Sequence, residues 1–300
     1  MSLKYFVAMC VGGIGNRLLG LFDAIIEYEK HYSDREFIIY WPCLPNINKN
    51  KFIKLINDEI KEIGLGNREL FSFDDQKNSL NLLHLYYCST FNCSFDKLFN
   101  MNYPYIYHIN LQFVNNINSN QIELFKYKNN IINTNKKYLF FISNGSKLSK
   151  NLNLIVNIIR KLKLKFNTIL SNITDIPSKG LHIRYTDRTN IDDVDTKVKY
   201  IEKNFKTILK DKIYVCCDEK EIIDILKEKY NIFTINTTSY VEKFDEKSDW
   251  ISHPLKNIIK YKYNIFRSEE SCIDSIKELY LLSKCNATSN LKKSTVYIIS

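Results

Sequence analysis

Tyr5-Phe6-Val7-Ala8-Met9-Cys10-Val11-Gly12-Gly13-Ile14-Gly15-Asn16-Arg17 reads as a strand, a sharp turn and the start of a helix. Residues 5–10 are apolar almost throughout, the pattern of a strand buried on both faces of a parallel sheet. Gly12-Gly13 breaks the run, because glycine admits backbone conformations that other residues resist. Leu18, Leu19, Phe22, Ile25 and Ile26 then recur at helical spacing. A second strand, Glu36-Phe37-Ile38-Ile39-Tyr40-Trp41, ends at Pro42. This β-α-β opening predicts a right-handed crossover and a parallel sheet.

The same grammar returns in the last third of the chain. Gly180-Leu181-His182-Ile183-Arg184-Tyr185 reads as a strand and residues 198–209 as a helix. Residues 212–217 form the next predicted strand, 220–229 an amphipathic helix, and 232–235 another strand. Ser268 is placed to cap a helix running to Ser283, and Ala287-Thr288-Ser289-Asn290 follows as a short run. Between the two regions, residues 137–142 read as a strand, 152–165 as a helix, and the Asn-rich segments 114–120 and 129–135 as loops. Alternating strands and helices define an α/β class with parallel sheets. Pro177-Ser178-Lys179-Gly180 is turn material. It divides the chain into an expected N-terminal domain, 1–176, and a C-terminal domain, 177–300.

The chain has 300 residues, 45% hydrophobic and 25% charged. That profile suits a soluble globular protein of two ordinary domains and excludes disorder as the main state. A net charge of +10 favours anionic partners: phosphates, nucleotides, nucleic acid or acidic lipid. The lysines are scattered among Asn and Ile, which also fits AT-rich coding. No apolar run reaches the roughly 20 residues of a membrane span, although peripheral contact through the basic surface stays open. Eight cysteines form no CxxC pair and no zinc-spaced cluster. The chain enters its first strand without a secretory leader, so free thiols and a cytoplasmic location are expected.

Two constellations carry chemistry. Gly12 to Arg17 lies between strand and helix, where backbone N–H groups can meet an anion. A dinucleotide-binding loop fits badly, because Leu18 takes the place of the third glycine and Tyr40-Trp41 that of an acidic ribose ligand. A tight turn with no ligand is the plainer alternative. In Gly180-x-His182-x-Arg184-x-x-Asp187, alternation puts His182 and Arg184 on one face of a strand. Near the strand's carboxyl end, a histidine and a bidentate guanidinium suit a pyrophosphate, with Asp187 orienting Arg184 or a ligand hydroxyl. The plainer alternative is an ion pair at a strand end.

Taken together, the GGxGNR turn and the GxHxRxxD strand resemble the fucosyltransferase superfamily, above all its α1,6-, O- and nodulation-type members. Residues 39–42 resemble that family's second strand, 214–218 its strand ending in Asp, and 275–285 its late helix before a Ser-rich turn, here 289–295. The likeness covers most of residues 1–45 and 180–300, leaving the middle uncovered. It departs where many members carry a second Arg, a position held here by Tyr185.

This resemblance implies a GT-B architecture, two Rossmann-like domains with parallel sheets facing across a cleft. The C-terminal domain would bind the nucleotide-sugar donor GDP-fucose and the N-terminal domain a glycan or other hydroxyl acceptor. Arg184 matches the family's diphosphate-binding and catalytic arginine, and His182 its donor-contacting neighbour. Asp218, with Glu219 as rival, falls where the base- or ribose-binding region begins. Ser294 and Thr295 align as phosphate ligands, with Gly13, Gly15, Asn16 and Arg17 facing the donor from the other domain.

The resemblance further implies inverting transfer that needs no metal or other cofactor. Accordingly, the doublets Asp74-Asp75 and Asp192-Asp193 read as solvated loop residues rather than a metal clamp. Asp23, Asp74 and Asp75 are candidates for a base on the acceptor because they lie in the expected acceptor domain, and surface charge is the plainer reading of each. Two rival readings remain. One is a transferase for another nucleotide sugar. The other is a non-catalytic nucleotide- or nucleic-acid-binding protein using its 20 Tyr and 18 Phe. Those aromatics lie in periodic apolar runs, and no RRM, KH or helix-turn-helix signature accompanies them, so a nucleic-acid partner is not expected.

Overall fold

The computed structural model describes residues 3–44, 46–52, 54–55, 58, 84, 87–88, 91–101, 106–108, 122–126, 135–143, 162–164, 173–185, 193–235, 242–243 and 265–289. The chain divides into two compact units, Met1–Ile47 with Ser72–Lys165, and Asn48–Phe71 with Phe166–Ser300.

The first unit is built on β1 (Tyr5–Met9), α1 (Ile14–His31) and β2 (Glu36–Tyr40). Three further strands, β4 (Ile106–His108), β5 (Ile122–Lys126) and β6 (Tyr138–Ile142), complete a sheet of order β4-β2-β1-β6-β5. A short strand β3 (Phe99–Met101) precedes β4 in the chain. Every pairing in the five-stranded sheet is parallel. The unbroken apolar sequence of β1 has its reason here, because both faces of the strand are covered. Phe6 stacks among Tyr32, Phe37 and Phe141, while Val7 packs with Ile38, Tyr40 and Phe140. Helix α1 buries Leu18, Leu21, Phe22 and Ile25, one stripe at the spacing a helix needs.

One expectation fails in this unit. Residues 162–164 form a strand, β7 (Leu162–Leu164), antiparallel to β3, where the apolar spacing of 152–165 predicts a helix. Leu-Lys-Leu satisfies a period of two as well as it fits a helical stripe, and a non-local partner decides between them. Residues 152–161 lie outside the described residues.

The second unit is regular. Strand β8 (Lys179–Ile183) is followed by α2 (Val194–Phe205), β9 (Ile213–Cys217), α3 (Lys220–Lys229) and β10 (Ile232–Phe233). A two-residue pair, β11 (Glu242–Lys243) and β12 (Ile265–Phe266), is antiparallel. Helix α4 (Glu269–Leu282) and β13 (Asn286–Ser289) close the described part. The main sheet runs β10-β9-β8-β13, again all parallel. One face carries Leu181, Ile183, Val215 and Cys217 against Val198, Ile201, Ile222 and Leu226 of α2 and α3. The other carries Tyr214 and Cys216 against Leu281 and Leu282 of α4. Helices on both faces of a parallel sheet satisfy the burial that its apolar strands require.

Side-chain caps start two of the helices, α4 at the Ser268 that the sequence predicts and α2 four residues before the predicted start at 198. The Ser268 hydroxyl accepts from the Ser271 N–H at 3.2 Å to start α4. The Asp193 carboxylate accepts from the Thr196 N–H at 2.7 Å to start α2. Asp193 is therefore a helix cap. All eight cysteines are free thiols, and all but Cys285 are buried. No described helix is long and apolar enough to cross a membrane.

Candidate functional site at the switch point of the second sheet

Read in chain order, the four-stranded sheet has its third, second, first and fourth strands side by side. The order reverses between β8 and β13, and ligands of open α/β sheets lie beyond the carboxyl ends of strands at such a reversal. Arg184 directly follows the end of β8. Across the reversal, His182 is in register with Ser289, the last residue of β13, and on its other side with Cys216. Alternation continues past the strand's end: Leu181, Ile183 and Tyr185 are buried, while His182 and Arg184 are half-buried. The pairing of His182 with Arg184 on the less buried face is as the sequence predicts.

Gly180 serves packing. A Cβ there would lie 3.0 Å from Cys285 Cβ and 3.2 Å from Leu282 Cδ2, so α4 and its C-terminal turn can approach β8 only at a glycine.

Asp218 and Glu219 follow β9 and have separate duties. Asp218 Oδ1 accepts a hydrogen bond from the Tyr185 N–H at 3.0 Å. Glu219 receives Lys197 Nζ on both carboxylate oxygens, at 2.8 and 2.7 Å. Lys197, on α2, is only 1% exposed and also lies 5.6 Å from the centre of the Tyr185 ring. The Glu219 carboxylate is thus committed to a lysine and the Asp218 carboxylate to the main chain after Arg184.

In the first unit, the turn after β1 sits at the other reversal of strand order, between β1 and β6. Gly12 has φ +85°, the left-handed region that favours glycine, and a Cβ there would meet the Asn16 side chain at 3.3 Å. Gly13 caps α1 in an extended conformation without a side-chain hydrogen bond, and a Cβ on it would touch nothing within 4 Å. Gly15 lies half-buried in the first turn of α1, and Asn16 is exposed. No acidic side chain occupies that turn.

Arg17 departs from the expectation that it faces a donor. It is fully buried, and four backbone carbonyls take its guanidinium: Gly12 through Nε at 2.7 Å, Pro42 through Nη1 at 2.8 Å, and Tyr87 and Phe91 through Nη2 at 2.7 and 2.9 Å. Its Cζ lies 5.0 Å from the Trp41 ring centre and 5.3 Å from that of Phe91. The planar fork of arginine suits this work, since it can serve several oxygens in one plane and stack on rings at the same time. Arg17 is a structural tie between the glycine turn, the end of β2, Tyr87 and Phe91.

Asp23 is fully buried on α1 and accepts a hydrogen bond from the Ser143 hydroxyl. Asp74, Asp75, Asp187, Asp192, Ser294 and Thr295 lie outside the described residues. Among the described residues, no group of three or more His, Cys, Asp and Glu side chains is gathered as a metal site would need.

Two features escape sequence reading. Lys197 looks in sequence like any other lysine on a basic helix. The phenol of Tyr40 meets His84 Nδ1 at 2.6 Å in the interior, with His84 2% exposed. Burial, and then the charge of Arg17, lowers the His84 pKa to about 4. Burial likewise pushes the Tyr40 phenol up. Only the aromatic character of Tyr40 could have hinted at this pair.

Two parallel α/β units, each with its strand order reversing beside a candidate loop, make a fucosyltransferase-like fold. Solved structures of NodZ are among those it resembles. An α-1,6-fucosyltransferase NodZ co-crystallised with GDP matches all of this chain and 92% of its own length, with a TM-score of 0.55 and 12% identity. The fucosyltransferase NodZ from Bradyrhizobium matches equally fully, at a TM-score of 0.54 and 11% identity. A NodZ structure soaked with GDP-fucose gives 0.51 over 99% of this chain and 91% of that one. At such identity the likeness is one of fold. No protein-family model matches the chain, and no curated protein matches it in sequence.

Proposed function

We propose that the chain is a glycosyltransferase that transfers fucose from GDP-fucose to a hydroxyl acceptor, by inversion and without a metal. The observation that carries this reading is the position of Arg184, at the carboxyl end of the strand where the second sheet reverses, within a fold shared end to end with NodZ. The NodZ complexes with GDP and GDP-fucose support the choice of donor.

In this proposal the second unit holds the donor and the first holds the acceptor. Breaking the anomeric C–O bond leaves positive charge on the sugar and builds negative charge on the departing GDP. A fixed guanidinium at Arg184 stabilises that charge as it forms, the largest contribution a protein can make to such a step. His182 contacts the same phosphates from the same face. Asp218 meets the nucleoside, Asp187 orients Arg184 or a hydroxyl, and Ser294 and Thr295 bind phosphate oxygens. In the first unit, the turn of Gly13, Gly15 and Asn16 offers backbone N–H groups to an anion. The eight free thiols support a reducing, cytoplasmic setting.

Incubation with GDP-fucose and a panel of glycans, with free GDP as the readout, tests the proposal. Acceptor-dependent release of GDP that persists in EDTA is the expected result. Release from another nucleotide sugar alone, or loss of activity in EDTA restored by Mn²⁺, would overturn the donor or the metal-free step respectively.

A further inference from the structure

Lys197 touches the residue that follows each of the two candidate donor ligands. It lies against the ring of Tyr185, next after Arg184, and it binds Glu219, next after Asp218. The Tyr185 N–H in turn donates to Asp218, so α2, the end of β8 and the end of β9 are joined in one polar knot. All the members are enclosed: Lys197 is 1% and Tyr185 2% exposed, and the Glu219 side chain 14%. A lysine is a poor choice for this place on stability grounds alone. Taking both charges out of water is costly, so a buried ion pair commonly gains little over an apolar pair of the same volume. What such a pair supplies is a fixed geometry. Here the geometry governs the backbone directly after Arg184, at Tyr185, and so bears on where the guanidinium points.

We propose that Lys197 is a positioning residue for Arg184, acting through Tyr185 and Glu219 to hold the guanidinium where a nucleoside diphosphate binds. This deepens the donor reading given above and rests on it. The role is distinct from ligand binding, since Lys197 Nζ is engaged by both oxygens of Glu219. It also explains why Glu219, which occupies the N-cap position of α3, makes no side-chain cap there.

The test is a double-mutant cycle on GDP affinity, measured by calorimetry on wild type, K197M, R184A and K197M/R184A. Folding of each is checked by circular dichroism, well below its own midpoint. K197M is expected to weaken GDP binding about tenfold, the scale at which small misplacements act. In the R184A background the same change is expected to have no further effect, since coupled residues are not additive. K197M/E219Q removes the charge that K197M strands and serves if K197M does not fold. It is expected to keep the tenfold loss while regaining thermal stability, whereas a purely structural role would return affinity together with stability. Wild-type affinity in K197M or K197M/E219Q, or full additivity with R184A, overturns the proposal. Wild type that binds no GDP overturns the donor reading and this proposal together.

Discussion

Asp218 Oδ1 and the backbone N–H of Tyr185 stand 3.0 Å apart as acceptor and donor, tying the end of β9 to the residue after Arg184. A carboxylate that accepts from a main-chain N–H beside a strand end fixes the path of the chain there. Asp218→Ala is therefore expected to weaken GDP binding about tenfold and to lower stability by about 1–3 kcal/mol, the cost of a lost charge-assisted hydrogen bond. Asp218→Asn keeps an acceptor oxygen and is expected to retain most of the stability. Equal stability of the Ala variant and wild type in denaturant titration would show the bond to be incidental.

Arg17 makes its own forecast. Its guanidinium answers four carbonyls, and the side chain is fully buried. Arg17→Met keeps the bulk and removes every donor, with an expected loss on the order of 3–5 kcal/mol in urea unfolding, because several buried oxygens lose their partners at once. A loss below about 1 kcal/mol would mean that water or other groups replace it.

Gly180 is a packing residue, and Gly180→Val tests this without touching any ligand. The added carbons collide with Cys285 and Leu282, so α4 must shift. Overpacking of this kind costs about 1–3 kcal/mol. The thermal midpoint should fall, and Cys285→Gly in the same chain should recover part of it. An unchanged midpoint contradicts the close approach of α4 to β8.

The Tyr40–His84 pair links stability to pH. The His84 pKa is lowered in the folded chain to about 4, from a usual value near 6.5. Between those values the unfolded chain takes up a proton that the folded chain refuses. The contribution is thus fully present above pH 6.5 and is lost as pH falls toward 4. The slope attributable to His84 between pH 6.5 and 5 is expected to reach about 1.4 kcal/mol per pH unit. His84→Gln, which does not titrate, is expected to flatten the profile there. A wild-type profile already flat between 6.5 and 5 would contradict the burial of a neutral imidazole.

Much of the fold was open to reading because its local and non-local preferences agree. The apolar run of β1, the glycine at φ +85° and the stripe of α1 all point to one β-α-β unit. Sequence alone also supplies the alternation of His182 with Arg184 and the Ser268 cap. It misleads at 162–164, where period two and a helical stripe coincide and only β3 chooses. It misleads again at Arg17, because an arginine beside glycines looks the same whether its fork meets phosphate or carbonyl oxygens. The carbonyls of Tyr87 and Phe91 come from far along the chain, and no local pattern announces them. Lys197 is hidden for the same reason: its partner Glu219 lies on another element.

In the proposed reaction the Arg184 guanidinium holds the diphosphate of a guanosine donor. Calorimetric titration of GDP, UDP and ADP into wild type and Arg184→Ala tests it most directly. Selective binding of GDP by wild type is expected, with a loss of at least tenfold in Arg184→Ala and the same thermal midpoint for both proteins in the absence of nucleotide. GDP binding of equal strength in the two proteins would contradict it.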